Sequence, residues 1–291
     1  MNAYELITEF RDAVGEDVAV DKENSHTGRF KYPAILRWLN RSQMEVQRLL
    51  VSLDDRYFLT AAAQDGLANQ NHYSLPPDCL MQRVLMVERV EGGSRYAYWP
   101  IDLEEKEACR RSSAAGLAYH GRFEIRESGV VLYPPPPAGI DNVVIYHNRR
   151  LADLDFGPVP SDAGNTDLTL NSTARPVADY YDNYRVTIVG PGNAADQTRT
   201  ITDYTAGRVC TVAQWDTSPT TEDYYAIECE LGEDFERLMM VKAVMMAMRR
   251  DSRAELSLFR QEHDELMASM ISSLHSRDRG PAYVHWTQEF N

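Results

Sequence analysis

The apolar residues of this chain change their period twice, and that alternation limits the fold more than any single motif does. Up to Leu53 they recur every three or four residues. From Tyr57 to Glu230 they come in short beats broken by Asn, Gly and Pro, and from Glu233 the helical spacing returns. Spacing of three or four marks helices with one apolar face, whereas short alternating beats marked off by turn residues mark strands. The expected class is therefore α+β, with helices at both ends and a β region between them.

The stretch AYELITEFRDAV places Leu6, Ile7, Phe10 and Val14 on one helical face and meets Gly15, a residue suited to the position just past a helix end. Pro33 opens a second helix, whose stripe is Ile35, Leu36, Trp38, Leu39, Val46, Leu49, Leu50 and Leu53. Seven beats follow: YFLTA, HYSLPP, RVLMVERV, RYAYWPI, RFEIRE, GVVLYPPPP and NVVIYHNRRL. They predict an antiparallel sheet. Proline cannot donate to a ladder and holds the preceding residue extended, so LPPD and PPPP each end a strand abruptly.

Residues 156–229 read as a separate module of five strands, DLTLN, YRVTIVG, TRTITDY, RVCTVAQW and YYAIE, forming a small barrel or sandwich. Between Asp153 and Glu230 there are thirteen acids against four bases, which carries most of the chain's net charge of -14. From Glu233 to about His275 neither Pro nor Gly occurs. Leu256, Phe259, His263, Leu266, Met270 and Leu274 step by three or four there, predicting one seam of a long C-terminal helix, or of two helices end to end. The expected layout is a core of residues 1–155 and 230–276, comprising a helical bundle and a sheet, with residues 156–229 inserted and residues 277–291 as an extended tail.

Composition excludes several function classes. A surface this acidic does not grip the phosphate backbone of nucleic acid. No run approaches the ~18 apolar residues needed to cross a bilayer, and MNAYELITEF carries acids where a secretory signal carries lysines, so a protein used without secretion is expected. Cys79, Cys109, Cys210 and Cys229 lie too far apart for a zinc knuckle and form no disulfide framework.

Chemistry-bearing constellations are each weak. YRVTIVGPGNAAD, residues 184–196, has the strand and glycines of a dinucleotide-binding turn, but that turn must open a helix, and QTRTITDY reads as a strand. A hairpin is expected there. His120 and His147 read as surface or loop residues, and His263 as part of the helical seam. The pairs Asp54/Asp55, Glu104/Glu105, Asp153/Asp155 and Glu222/Asp223 sit in polar, turn-like contexts where a solvated carboxylate is the default, whereas a glycosidase needs two facing across a cleft. No catalytic residue, cofactor site or metal site is expected.

Two features point to partners instead. Met239, Met240, Met245, Met246 and Met248 spread apolar surface around more than one face of their helix, which suits a helix shared between its own domain and a neighbouring subunit. Tyr283, Val284, Trp286 and Phe290 lie in a tail too short to bury them, and large aromatics of this kind anchor interfaces.

In order along the chain, ELITEFRDAVG, ILRWLNRSQMEVQR, YSLPPDCLMQRVLMVE, GVVLYPPPPAG, VVIYHNRRLADL and FRQEHDELM resemble bacteriophage head-to-tail adaptor (connector) proteins, through most of residues 3–154 and 231–275. The acidic insertion departs from the plain adaptor pattern. The resemblance implies a virion protein assembled in the host cytoplasm, a ring typically of twelve subunits docked on the portal protein. Tail or nozzle proteins would lie beyond it, and double-stranded DNA would pass through without specific binding. It also implies that the C-terminal tail reaches onto the portal. The rival readings are another virion component, a tail-tube or baseplate protein, and, further off, a carbohydrate-active enzyme.

Overall fold

The computed structural model describes residues 1–16, 30–67, 69–101, 121–137, 141–161, 163–251 and 256–277. The chain divides into two compact units, one of residues Leu50–Leu151 and one of Met1–Leu49 with Ala152–Asn291. The class is mixed α+β, with four helices and two curled sheets among the described residues.

The unit Leu50–Leu151 holds a seven-stranded sheet: β1 (Leu59–Asp65), β2 (His72–Ser74), β3 (Cys79–Glu91), β4 (Ser94–Pro100), β5 (Gly121–Arg126), β6 (Gly129–Tyr133) and β7 (Asn142–Arg149). Their order is β1-β7-β3-β4-β5-β6-β2. Each corresponds to one of the seven beats. Gly92 and Gly93 both adopt positive φ between the paired Glu91 and Ser94, the two-residue turn that matches the twist of a hairpin. One expectation needs correction: the sheet is not wholly antiparallel, because β4 pairs parallel to β5. Parallel neighbours need a crossover of a dozen or more residues, and residues 101–120 supply that length. Val87, Tyr98, Phe123, Val130, Leu132, Val143 and Ile145 form the interior. The sheet curls until its two edge strands approach each other, and the Gln64 side-chain Nε2 of β1 donates to the Ser74 carbonyl of β2 at 2.6 Å.

In the other unit, α1 (Ala3–Ala13) begins with a reciprocal cap. Asn2 Oδ1 accepts from the amides of Tyr4 and Glu5, while Glu5 Oε2 accepts from the Asn2 amide. Leu6, Ile7 and Phe10 are buried, and Phe10 stacks on Trp38 of α2 (Tyr32–Leu53) with ring centres 5.9 Å apart. The C-terminal stretch, expected as one long helix or two helices end to end, is two helices, α3 (Glu233–Asp251) and α4 (Leu256–Arg277), which pack against each other and are joined by Arg237 and Glu262 at 2.6 Å. The seam from Leu256 to Leu274 lies wholly on α4, so its period does not show where the preceding helix ends. Lys242 of α3 pairs with Glu45 of α2 at 2.9 Å.

The same unit carries the second sheet: β8 (Phe156–Pro158), β9 (Asp167–Thr169), β10 (Arg185–Val189), β11 (Thr198–Tyr204), β12 (Val209–Val212) and β13 (Tyr224–Ile227), in the order β8-β13-β10-β11-β12-β9. Every pair is antiparallel. Five strands match the sequence reading; β8, three residues long, has too few positions to show a period. The sheet curls around a core that includes Tyr181, Val186, Ile188, Tyr204, Trp215 and Tyr225. Among the described residues no helix is long and apolar enough to cross a membrane.

Candidate functional site

The glycine-rich turn after β10 is a hairpin, as its alternating sequel requires. β11 follows it, and the Asp196 amide donates to the Ile188 carbonyl at 2.8 Å. Gly190 adopts φ +125°. Gly192 lies against the buried Asp223, so that a Cβ there would stand 2.0 Å from Asp223 Oδ1. The turn borders an open cleft of about 700 Å³ lined by Tyr4, Glu5, Thr187, Asp196, Thr198 and Glu228 among others. Glu5, Asp196 and Glu228 line it beside Met1 and the first turn of α1, with Glu5 engaged in the α1 cap and Glu228 paired with Arg185 at 3.2 Å. The element after the glycines is β11, not the helix that would hold a pyrophosphate.

His147 is a correction to the surface reading. It is 1% exposed on β7, with Nδ1 3.3 Å from the Ile145 carbonyl and Nε2 3.0 Å from Asp78 Oδ1. Burial raises the Asp78 carboxyl, but the hydrogen bond and charge of His147 outweigh it and hold the group below its ordinary value. The Asp78 carbonyl also accepts from the Arg150 amide. The acid after the two prolines of LPPD thus clamps the end of β7. His263 is half-buried on α4 beside Asp264, at 3.1 Å, and His120 lies outside the described residues.

The carboxylate pairs divide. Asp54 accepts from the Arg56 amide in an exposed turn, and Glu104/Glu105 lie outside the described residues. Asp153 pairs with Arg175 at 2.7 Å. Asp155 and Asp223 are buried, against the expectation of solvation. Asp223 Oδ2 accepts from the amide and hydroxyl of Thr220, closing a turn. Asp155 accepts from Tyr225 and Thr173, and burial pushes its carboxyl up to about 6 despite both bonds.

A cluster unmarked by any motif also forms. Asp179, Asp182 and Asp203 bring one carboxylate oxygen each within 4.8 Å of one another. Burial, then the charges of Asp179 and Asp203, raise the Asp182 carboxyl. Asp179 and Asp182 are three apart in one turn, and the Asp179 amide bonds to the Tyr204 carbonyl next to Asp203. That pairing joins residues more than twenty apart, beyond the reach of local spacing.

Of the thiols, burial raises Cys79 to about 11 and Cys229 to about 12, with Cys210 also raised. Each is held in the protonated, poorly nucleophilic form at neutral pH. Met239, Met240, Met245 and Met248 are buried within their own unit, and Met246 is partly exposed. Tyr283, Val284, Trp286 and Phe290 lie outside the described residues.

Among the described residues the geometry therefore consists of acids and a histidine tied to backbone, hydroxyl or cationic partners that fix local structure, an acidic cleft, and a trio of aspartates in which Asp179 and Asp203 are exposed and Asp182 is half-buried. Comparison with known proteins agrees with the resemblance seen in the motifs. The sequence profile of the family described as SU10 adaptor protein matches residues 1–173, a span that takes in α1, α2 and β1 to β9. No curated protein matches the chain. Because the profile covers more than half of its length, the chain belongs to the SU10 adaptor protein family.

Proposed function

We propose that this protein is a structural component of a tailed-phage virion: a head-to-tail adaptor that forms an oligomeric ring, joins the portal protein to the tail and frames the channel through which DNA leaves. The observation that carries this reading is the family match over residues 1–173. Two physical features support it. A net charge of -14 suits a wall past which duplex DNA must slide, because like charges discourage sticking. The buried acids are engaged by Tyr225, Thr173 and Thr220, which is how a scaffold uses them.

Within the ring, Met246 and the exposed side of α4 are the part of the C-terminal helices available to a neighbour, since the other α3 methionines already fill their own core. The test is co-expression with the portal protein of the same phage, followed by electron microscopy. The expected result is a closed ring at the portal's outer end. A chain that stays monomeric and never co-purifies with portal overturns the proposal.

A further inference from the structure

Three arginines stand on one solvent face of α2. At 3.6 residues per turn Arg37, Arg41 and Arg48 fall within about 40° of one another around the axis and span about 16 Å along it. All three are exposed, Arg41 with 72% of its side chain open. The one acid of this helix, Glu45, is shared, meeting Arg41 at 3.1 Å and Lys242 of α3 at 2.9 Å. Arg37 Nε donates to the Pro33 carbonyl, and among the described residues no carboxylate pairs with Arg37 or Arg48. Asn40 and Gln43 turn another side of the helix toward the segment entering β8, donating to the Leu154 and Ala152 carbonyls. The arginine face is thus a net positive surface left over after α2 has packed.

An opposite surplus lies on the second sheet. Asp179, Asp182 and Asp203 crowd three carboxylates within 4.8 Å, and burial, then the charges of Asp179 and Asp203, raise the Asp182 carboxyl. The four bases between Asp153 and Glu230 are engaged elsewhere. Arg175 meets Asp153, Arg185 meets Glu228, Arg199 meets Asp216, and Arg208 Nε donates to the Ala174 carbonyl. Among the described residues no cation pairs with the three aspartates.

We propose that the arginine face of α2 docks on these three aspartates in a second copy of the chain. The charges are complementary, and the planar guanidinium fork takes carboxylates two-pronged. Pairs of this kind at an interface fix register and reject wrong partners more than they add raw affinity. Duplex DNA fits the arginines less well, because the rest of a chain with net charge -14 repels phosphates. The two surfaces differ, so the contact is head-to-tail, the kind that generates rings when its rotation closes. The inference deepens the ring reading and rests on it only for that closure.

The test uses the full chain alone, so failure to bind portal leaves its outcome untouched. One variant reverses the helix face, Arg37→Glu with Arg48→Glu. The other changes the trio, Asp203→Lys with Asp179→Asn; Asp179 has φ +63°, which asparagine tolerates and lysine does not. If circular dichroism shows either unfolded, Arg48→Glu or Asp203→Lys alone takes its place. In sedimentation each variant by itself is expected to self-associate at least about tenfold more weakly than the parent, and the two mixed to recover a one-to-one complex. Raising salt from about 0.1 M to about 1 M, which shortens the screening length from about 10 Å to about 3 Å, is expected to weaken the parent's association. A parent that stays monomeric at low salt, variants that associate like the parent, or a mixture no tighter than its parts would each overturn the proposal. So would an arginine variant that self-associates normally but no longer retards duplex DNA as the parent does, which would give the face to nucleic acid.

Discussion

Tyr225 donates its phenol hydrogen to Asp155 at 2.7 Å, in a place neither side chain shares with water. The same phenol oxygen accepts from the Asn171 amide at 2.6 Å, Asp155 accepts from Thr173 at 2.8 Å, and the Asp155 carbonyl accepts from the Ile227 amide. One carboxylate and one phenol thus join β13 to the segment entering β8 and to the turn after β9. Burying a carboxylate is costly unless its lone pairs are met. Here they are met by groups that also fix where the chain enters the second sheet.

The first prediction concerns pH. Burial raises the Asp155 carboxyl to about 6, against about 3.9 in an unfolded chain. A raised carboxyl binds its proton more tightly when folded, so its stabilising contribution is complete below about pH 4 and is lost as pH climbs through about 6, some ~3 kcal/mol in all. Asp155→Asn removes that titration. Melting temperatures across this range should show the variant gaining on the parent as pH rises; parallel curves would contradict the assignment.

The second concerns the glycine turn. An alanine methyl at Gly192 would meet the Asp223 carboxylate at 2.0 Å, whereas at Gly164 the nearest atom is 3.9 Å away. Because Asp223 is buried and held by Thr220, it cannot swing aside cheaply. Gly192→Ala should lose about 2 kcal/mol in urea unfolding and Gly164→Ala less than about 0.5 kcal/mol. Equal losses would remove the packing explanation for this glycine.

These two cases mark what sequence could and could not reveal. The seven strands of the first sheet were legible because alternating beats and turn residues are local. The parallel pairing of β4 with β5 was not, since it depends on a crossover between distant strands. Asp155 sits in a polar-looking LADLDF, and its partners Thr173 and Tyr225 lie 18 and 70 residues away. His147 was readable after all: it follows Val143 and Ile145 at intervals of two, which puts it on their buried face. In α3 the methionine doublets signalled burial on more than one side, and the chain's own core supplies the cover for most of it.

The third prediction follows from that cover. Met240 is 0% exposed within its own unit. Met240→Ala should destabilise the dilute chain by about 2–5 kcal/mol, as cavities in tight cores do. Chemical denaturation at concentrations too low for association is the measurement. An unchanged midpoint there, with a loss appearing only on assembly, would assign the residue to a subunit contact.

The last prediction is opposite in sign to the first. His147 holds the Asp78 carboxyl below its ordinary value against the cost of burial. A lowered carboxyl contributes stability that is present above the unfolded value of about 3.9 and vanishes as pH falls through the lower folded one. With the Asp78 side chain 45% exposed, water screens the pair, and the contribution should be only about 1 kcal/mol. Asp78→Asn should therefore melt below the parent at neutral pH, with the gap narrowing below about pH 4. If the gap instead widened in acid, His147 would not be the group that holds this carboxylate, and the clamp on the end of β7 would need another source.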